Sequence, residues 1–210
     1  MSIASFPIGP IDTNCHVVYN NSDALVVDPG GDMRSGLDEV LGFIAQKKLK
    51  VLAILLTHFH FDHIYGVADL KRATNAPVYG PKGDAWLLET ELGGGGAWGF
   101  PKVPTFPWED LKEGQHTIGS ISFEVMPTPG HTPGSISIYI PAMNGVLTGD
   151  LLFFHSVGRT DFPRSSSAAM KASLRKKIFV LPPDTDVYPG HGPNTNVDEE
   201  ISNNPYLAFL

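Results

Sequence analysis

Apolar residues in this chain recur in short blocks of strand length, set between clusters of glycine, proline, asparagine and aspartate. Residues 15–19 and 24–28 are two such blocks, separated by Asn20-Asn21-Ser22-Asp23. That spacing predicts a hairpin, because asparagine tolerates the left-handed backbone of a tight turn. A turn over Asp28-Pro29-Gly30-Gly31-Asp32 follows, and Leu37, Val40, Leu41 and Ile44 then fall at helical spacing. Residues 51–56 are apolar without interruption and predict a strand buried on both faces. The run stops at Thr57-His58-Phe59-His60, after which residues 64–73 read as a helix and 77–79 as a short strand. Further strands are predicted at 118–127, 135–140, 146–150 and 186–188, and helices at 168–179 and 198–202. Residues 93–107 differ from the rest: consecutive glycines are followed by Trp98, Phe100 and Phe106 among prolines. This predicts a long irregular loop, either a surface connection or the border of a ligand cleft. No repeat or linker interrupts the alternation of strands and helices, so residues 1–210 are expected to form one domain of α/β (α+β) class.

Composition narrows the class of function. Hydrophobic residues make up 42% of the 210 positions and charged residues 18%, which suits a globular chain with a buried core. The formal net charge is −7, and basic residues cluster only at 47–50 and 175–177, both near helix ends. A nucleic-acid partner is therefore not expected. The single cysteine, Cys15, rules out an intramolecular disulfide. Residues 1–10 lack the pattern of a signal peptide, and no apolar run has the length of a membrane span, so a soluble cytoplasmic protein is expected.

The densest chemical signal is His58-x-His60-x-Asp62-His63, placed directly after the buried strand. Imidazole nitrogens and carboxylate oxygens suit zinc and related divalent ions. So many ligands so close together serve two neighbouring ions more easily than one. Three later segments have the same character. They are Pro129-Gly130-His131-Thr132-Pro133-Gly134, Thr148-Gly149-Asp150 and Pro189-Gly190-His191-Gly192-Pro193. Each presents a ligand-type side chain from a strand end on a turn of fixed shape. His16 and His116 lack such a setting and read as structural or solvated, whereas His155, five residues beyond Asp150, reads either that way or as a residue flanking the site. Asp28, also at a strand end, is either a simple turn residue or a carboxylate supporting a metal-binding histidine.

In this order and spacing, His58, His60, Asp62, His63, His131, Asp150 and His191 resemble the metallo-β-lactamase superfamily over nearly the whole chain. Within it, Val27-Asp28-Pro29-Gly30-Gly31-Asp32 and Gly158-Arg159-Thr160-Asp161-Phe162-Pro163 are most similar to the glyoxalase II (hydroxyacylglutathione hydrolase) group, especially its short bacterial branch. The resemblance implies a four-layer αββα sandwich. It implies one divalent ion on His58, His60, His131 and Asp150, and a second on Asp62, His63, Asp150 and His191, with Asp150 bridging. Zinc is the expected metal, with iron or manganese as alternatives. Arg159 stands where that group has a basic residue near the substrate. The β-lactamases proper are the poorer expected match, since many carry a cysteine where Asp150 stands. Residues 192–210 do not resemble the basic helical segment that grips glutathione in full-length glyoxalase II, so glutathione is not the firmly expected thiol carrier.

The implied reaction is hydrolysis of a small-molecule thioester such as S-D-lactoylglutathione by a hydroxide bridging the ions, with Asp62 and Asp150 as the least replaceable residues. The same ligands would also serve a mononuclear iron persulfide dioxygenase, a lactonase or, less well given the charge, a nuclease. A purely structural metal is disfavoured, because structural zinc sites are usually cysteine-rich.

Overall fold

The computed structural model describes residues 1–96 and 99–209; Trp98, which belongs to the expected 93–107 loop, lies outside them. The chain forms two compact units, Met1–Leu111 with Thr117–Ile121, and Lys112–His116 with Ser122–Leu210.

The first unit holds a six-stranded sheet in the order β1 (Ser2–Ile8), β2 (Thr13–Asn20), β3 (Asp23–Val27), β4 (Lys50–Leu55), β5 (Val78–Gly80) and β6 (Glu109–Asp110). The first three strands are antiparallel, and β3 through β6 run parallel. Parallel neighbours need crossover connections. Helix α1 (Leu37–Gln46) supplies the first, and α2 (Phe61–Ile64) with α3 (Val67–Thr74) the second. Leu37, Val40 and Ile44 of α1 and Val67 and Leu70 of α3 are buried in one core with Val17, Val26, Ile54 and Leu56. The expected hairpin, the α1 helix and the buried strand are all present.

The expected helix over 64–73 is instead two helices that meet at Gly66. The Gly66 N–H donates to Pro29 O at 2.8 Å, and a Cβ on Gly66 would stand 1.9 Å from Gly31 O. The joint between the helices therefore packs backbone to backbone on the turn after β3. A 3₁₀ helix over Lys82–Glu89 and a short helix α4 (Glu91–Gly94) follow β5, so the glycine run begins inside α4 and only partly in a loop.

The remaining strands, all but residues 117–118 and 121 of which belong to the second unit, are β7 (Gly114–Ile118), β8 (Ile121–Pro127), β9 (Ile136–Ile140), β10 (Gly145–Gly149), the small hairpin β11 (Leu152–Phe153) and β12 (Ser156–Val157), β13 (Asp186–Pro189) and β14 (Thr195–Asn196). The main sheet has the order β14-β13-β10-β9-β8-β7, with β10 parallel to β13 and the β14–β13, β10–β9 and β9–β8 pairs antiparallel. Residues 118–127 are thus not one strand. A turn at Gly119-Ser120, with Gly119 at φ 58°, divides them between β7 and β8. Helix α5 (Ser167–Ser173) continues into a wider turn, Leu174–Ile178, and buries Met170, Leu174 and Ile178 against Val146, Leu152 and Val187. Burying a side chain of this size stabilises by about 1.5–3 kcal/mol.

Helix α6 (Val197–Asn203) is capped by Asn196, whose side chain accepts from Glu199 N at 2.8 Å. Its Glu200 is wholly buried but accepts hydrogen bonds from Thr195 Oγ1, Asn204 Nδ2 and the His155 backbone N–H. The His155 ring pairs with Glu199 at 2.7 Å. His155 therefore ties the β11–β12 hairpin to α6. His16 donates to or accepts from Ser5 Oγ, and His116 Nε2 donates to Lys112 O, so both have the structural roles expected of them. Among the described residues, no helix is long and apolar enough to cross a membrane.

Candidate metal centre

In the first unit, the candidate ligands gather at the carboxyl ends of two parallel neighbours. Val27 of β3 pairs with Leu55 of β4, and Asp28 N donates to Leu55 O at 3.0 Å. This register sets Asp28 beside Thr57. The Asp28 carboxylate accepts from Thr57 N at 2.8 Å, from Thr57 Oγ1 at 2.6 Å and from His63 Nδ1 at 2.9 Å. Since the Thr57 hydroxyl proton goes to Asp28, Thr57 Oγ1 is left to accept from His58 Nδ1 at 3.1 Å. Both His58 and His63 thus carry their proton on Nδ1 and offer Nε2 as a donor atom to a metal. Asp28, one of the two readings the sequence leaves open, is the supporting carboxylate.

His60 precedes α2 with an extended backbone, which puts Asp62 in the first turn of that helix. Asp62 Oδ2 accepts from Thr13 Oγ1 at 3.0 Å, and a Cβ on Gly30 would stand 1.9 Å from Asp62 O. The turn after β3 therefore fixes Asp62 by direct backbone packing. Buried Asp84, from the 3₁₀ helix, accepts from Phe59 N at 3.4 Å and steadies the segment between His58 and His60. Asp84, Thr57 and Thr13 are supporting residues that the ligand pattern alone does not reveal.

In the second unit, β10 and β13 end side by side, and Gly190 N donates to Gly149 O at 2.8 Å. This contact brings Asp150 and His191 together. Asp150 divides its carboxylate: Oδ2 lies 3.3 Å from His131 Nε2, and Oδ1 lies 3.7 Å from His191 Nε2. His131 stands in the turn between β8 and β9, and its Nδ1 donates to Arg159 O at 2.8 Å. A carbonyl only accepts, so the proton is on Nδ1 and Nε2 faces Asp150. Ser165 Oγ donates to His131 O at 2.6 Å and holds the backbone of that turn. The Arg159 side chain is exposed and bound to Asp161.

These donor sets fit a divalent ion. Two ligands on adjacent corners of a tetrahedral ion, at bonds of about 2.0–2.1 Å, stand about 3.3 Å apart. The His58 Nε2–His60 Nδ1, His63 Nε2–Asp62 Oδ2 and His131 Nε2–Asp150 Oδ2 separations are 3.2, 3.4 and 3.3 Å. Donor atoms of Asp28, His58 and His63 also lie within 4.8 Å of one another, with Asp28 on the side where it holds the rings. A histidine whose second nitrogen is tied to a carboxylate or carbonyl is the usual state of a metal-binding histidine. Cys15 offers no competing chemistry: burial, helped by the charge of Asp28, pushes its thiol far above the ordinary range, so it stays protonated.

The model of the metallo-beta-lactamase superfamily matches residues 8–191. The chain belongs to that superfamily. Its fold is accordingly the αββα fold expected from the sequence. The "Probable metallo-hydrolase YqgX" of Bacillus subtilis is 37% identical, over 96% of this chain and 95% of that protein. The "Hydroxyacylglutathione hydrolase GloC" of Haemophilus influenzae is 30% identical, over 99% and 98%. Among solved structures, the BLEG-1 B3 metallo-beta-lactamase superposes with a TM-score of 0.91 at 38% identity, covering 98% of this chain and 99% of that one. TTHA1623, in a di-iron-bound form, superposes with a TM-score of 0.87 at 38% identity, covering 97% and 100%. A β-lactamase is therefore more similar in sequence than GloC, so identity does not rank the β-lactamases below the glyoxalase II group as the motifs alone suggest.

The role of Asp28 is open to a direct measurement. Asp28 sits at φ 51°, a conformation asparagine also adopts, so Asp28→Asn removes the charge without straining the turn. Loss of a supporting carboxylate costs about 10–100-fold in metal affinity. We expect a loss in that range in competition with a chromophoric chelator, with the thermal unfolding midpoint of the metal-free protein changed far less.

Proposed function

We propose that the protein is a metal-dependent hydrolase that holds two divalent ions and cleaves a thioester. The observation that carries the reading is the set of donor pairs at tetrahedral-edge separations, with the far ring nitrogens of His58, His63 and His131 tied down. In this reading His58, His60, His131 and Asp150 hold one ion, Asp62, His63, Asp150 and His191 the other, and residues 1–210 work as one domain. Zinc suits such a His/Asp set, with iron or manganese as alternatives. Divalent ions in such a site activate a water molecule and polarise the substrate carbonyl.

The chain's own residues then have separable tasks. Asp150, with its two oxygens turned toward different histidines, is the shared ligand. Asp62, held by Thr13, would serve the second ion and orient the water it activates. Hydrolysis forms one C–O bond from water and breaks the C–S bond. The sulfur leaves as a thiolate, which at an ordinary thiol pKa of about 8.5 needs no strong protein acid. That suits a set of residues rich in metal ligands. The 30% identity to GloC supports a hydroxyacyl thioester as the substrate class, with S-D-lactoylglutathione as its test compound and the thiol carrier left to the specificity of the loop that bears Arg159. The proposed setting is the cytoplasm, with neither nucleic acid nor membrane as a partner; the net charge of −7 accords with this.

The test is metal quantification on protein purified without added metal, followed by assay of S-D-lactoylglutathione beside a chromogenic β-lactam. Two zinc-like ions per chain and thioester turnover are expected. One iron per chain, with oxygen uptake on glutathione persulfide and no thioester cleavage, would instead assign a dioxygenase. Faster turnover of the β-lactam would assign a β-lactamase, the outcome that the BLEG-1 likeness favours.

A further inference from the structure

The arginine expected to grip an anionic substrate already holds a carboxylate. Arg159 Nε donates to Asp161 Oδ1 and Nη2 to Asp161 Oδ2, both at 2.9 Å, a bidentate fork. The two side chains are 67% and 66% exposed, so the pair is open to competition from solvent and ligands. The guanidinium also lies over the Phe162 ring, 4.5 Å from its centroid, and the same ring meets His131 edge-on at 5.6 Å. Phe162 thereby contacts both the guanidinium and a candidate metal ligand, and Asp161 sets which of the guanidinium N–H groups remain available. The hydrogen bond from Arg159 holds the Asp161 carboxyl below its ordinary range, so the pair stays ionised near neutral pH.

We propose that Asp161 is a specificity-determining residue: it fills the edge of Arg159 that a substrate carboxylate would use and so favours thioesters with an uncharged, amide-bearing thiol carrier. The inference rests on the reading of Arg159 as a substrate-side residue. A carboxylate two residues away in the same loop competes as a tethered ligand, at an effective concentration that a free anion reaches only when abundant. A neutral amide carbonyl needs only one of the N–H groups that Asp161 leaves available, since the guanidinium has five. Asp161 therefore penalises a carboxylate and leaves the amide unaffected.

The experiment compares the full-length protein with Asp161→Asn, Arg159→Ala and the double variant. The probes are S-methylglutathione, which carries two carboxylates and cannot donate a thiolate to a metal, and its dimethyl ester. Calorimetric titration reads binding without requiring turnover. Asp161→Asn is expected to tighten S-methylglutathione about fivefold relative to the ester, the scale of an exposed ion pair. In the Arg159→Ala background, the same substitution is expected to have no such effect. An equal change for both probes, an unchanged ratio, an effect that persists without Arg159, or no binding of S-methylglutathione to any of the four proteins would overturn the assignment. KM for S-D-lactoylglutathione is expected to follow the binding. If no thioester is cleaved at all, the hydrolase reading fails, while the binding cycle still decides the role of Asp161.

Discussion

Asp150→Ala is expected to remove metal from both halves of the proposed centre and to reduce thioester turnover by more than a hundredfold. The carboxylate faces two different imidazoles, at 3.3 Å through Oδ2 and 3.7 Å through Oδ1, so it is placed to share a site with each. Loss of a merely supporting carboxylate costs about 10–100-fold in metal affinity, and a ligand shared by two ions sets a larger loss. The fold is not expected to fail with it. Asp150 follows β10, whose register with β13 depends on backbone hydrogen bonds and on buried Val146 and Val187. Metal content by elemental analysis, kcat/KM and far-UV circular dichroism together make the test. A folded Asp150→Ala protein that keeps two ions and normal turnover would show that Asp150 does not bridge. Asp150→Asn is informative beside it: it keeps the shape and removes the charge, so a loss nearly as large would assign the effect to ligation and not to packing.

Much of this arrangement is legible in the sequence, for reasons specific to the residues. The apolar run at 51–56 can hardly be other than a buried strand, and His58, His60, Asp62 and His63 follow it too closely to be a solvated turn. His131, Asp150 and His191 are legible because each follows a strand on a Gly- or Pro-bearing turn. What stays hidden depends on sideways contacts between elements. Asp28 resembles any turn aspartate until the β3–β4 register places it against Thr57 and His63. Asp84 reaches Phe59 N from a 3₁₀ helix whose sequence, Lys82–Glu89, carries no ligand motif. The pairing of Arg159 with Asp161 requires a loop shape that residue order does not encode. Strand β1 is half exposed, so its apolar residues show no clean alternation. The division of 118–127 rests on a single glycine with a positive φ inside an apolar run. His155 lies close to Asp150 in sequence, but its partners are in α6.

Gly158→Ala is expected to damage stability and metal affinity together, although residue 158 carries no ligand atom. A Cβ at Gly158 would lie 1.8 Å from Asp150 O and 3.4 Å from His131 Nδ1. The first contact is with backbone, so no side-chain rotation relieves it, and the two segments must separate by about 1 Å. Gly158 N also donates to Leu151 O, which ties the same two segments together. The next residue, Arg159, supplies the carbonyl that fixes the His131 tautomer, so displacement of Gly158 withdraws that acceptor from Nδ1. Forcing an atom into closed packing costs about 1–3 kcal/mol. A misplacement of about 1 Å in a catalytic array costs on the order of a hundredfold in rate. Gly42→Ala is the matched control: it lies in α1 with nothing within 4 Å of the added methyl, and the gain in helix propensity is expected to stabilise it by about 1 kcal/mol. Thermal melts and chelator competition on the two variants separate the effects. If Gly158→Ala melts and binds metal like Gly42→Ala, the close approach of the 158–159 segment to Asp150 and His131 does not organise the ligands. If both measurements fall together, the glycine is what allows one loop to press on Asp150 while its next carbonyl orients His131.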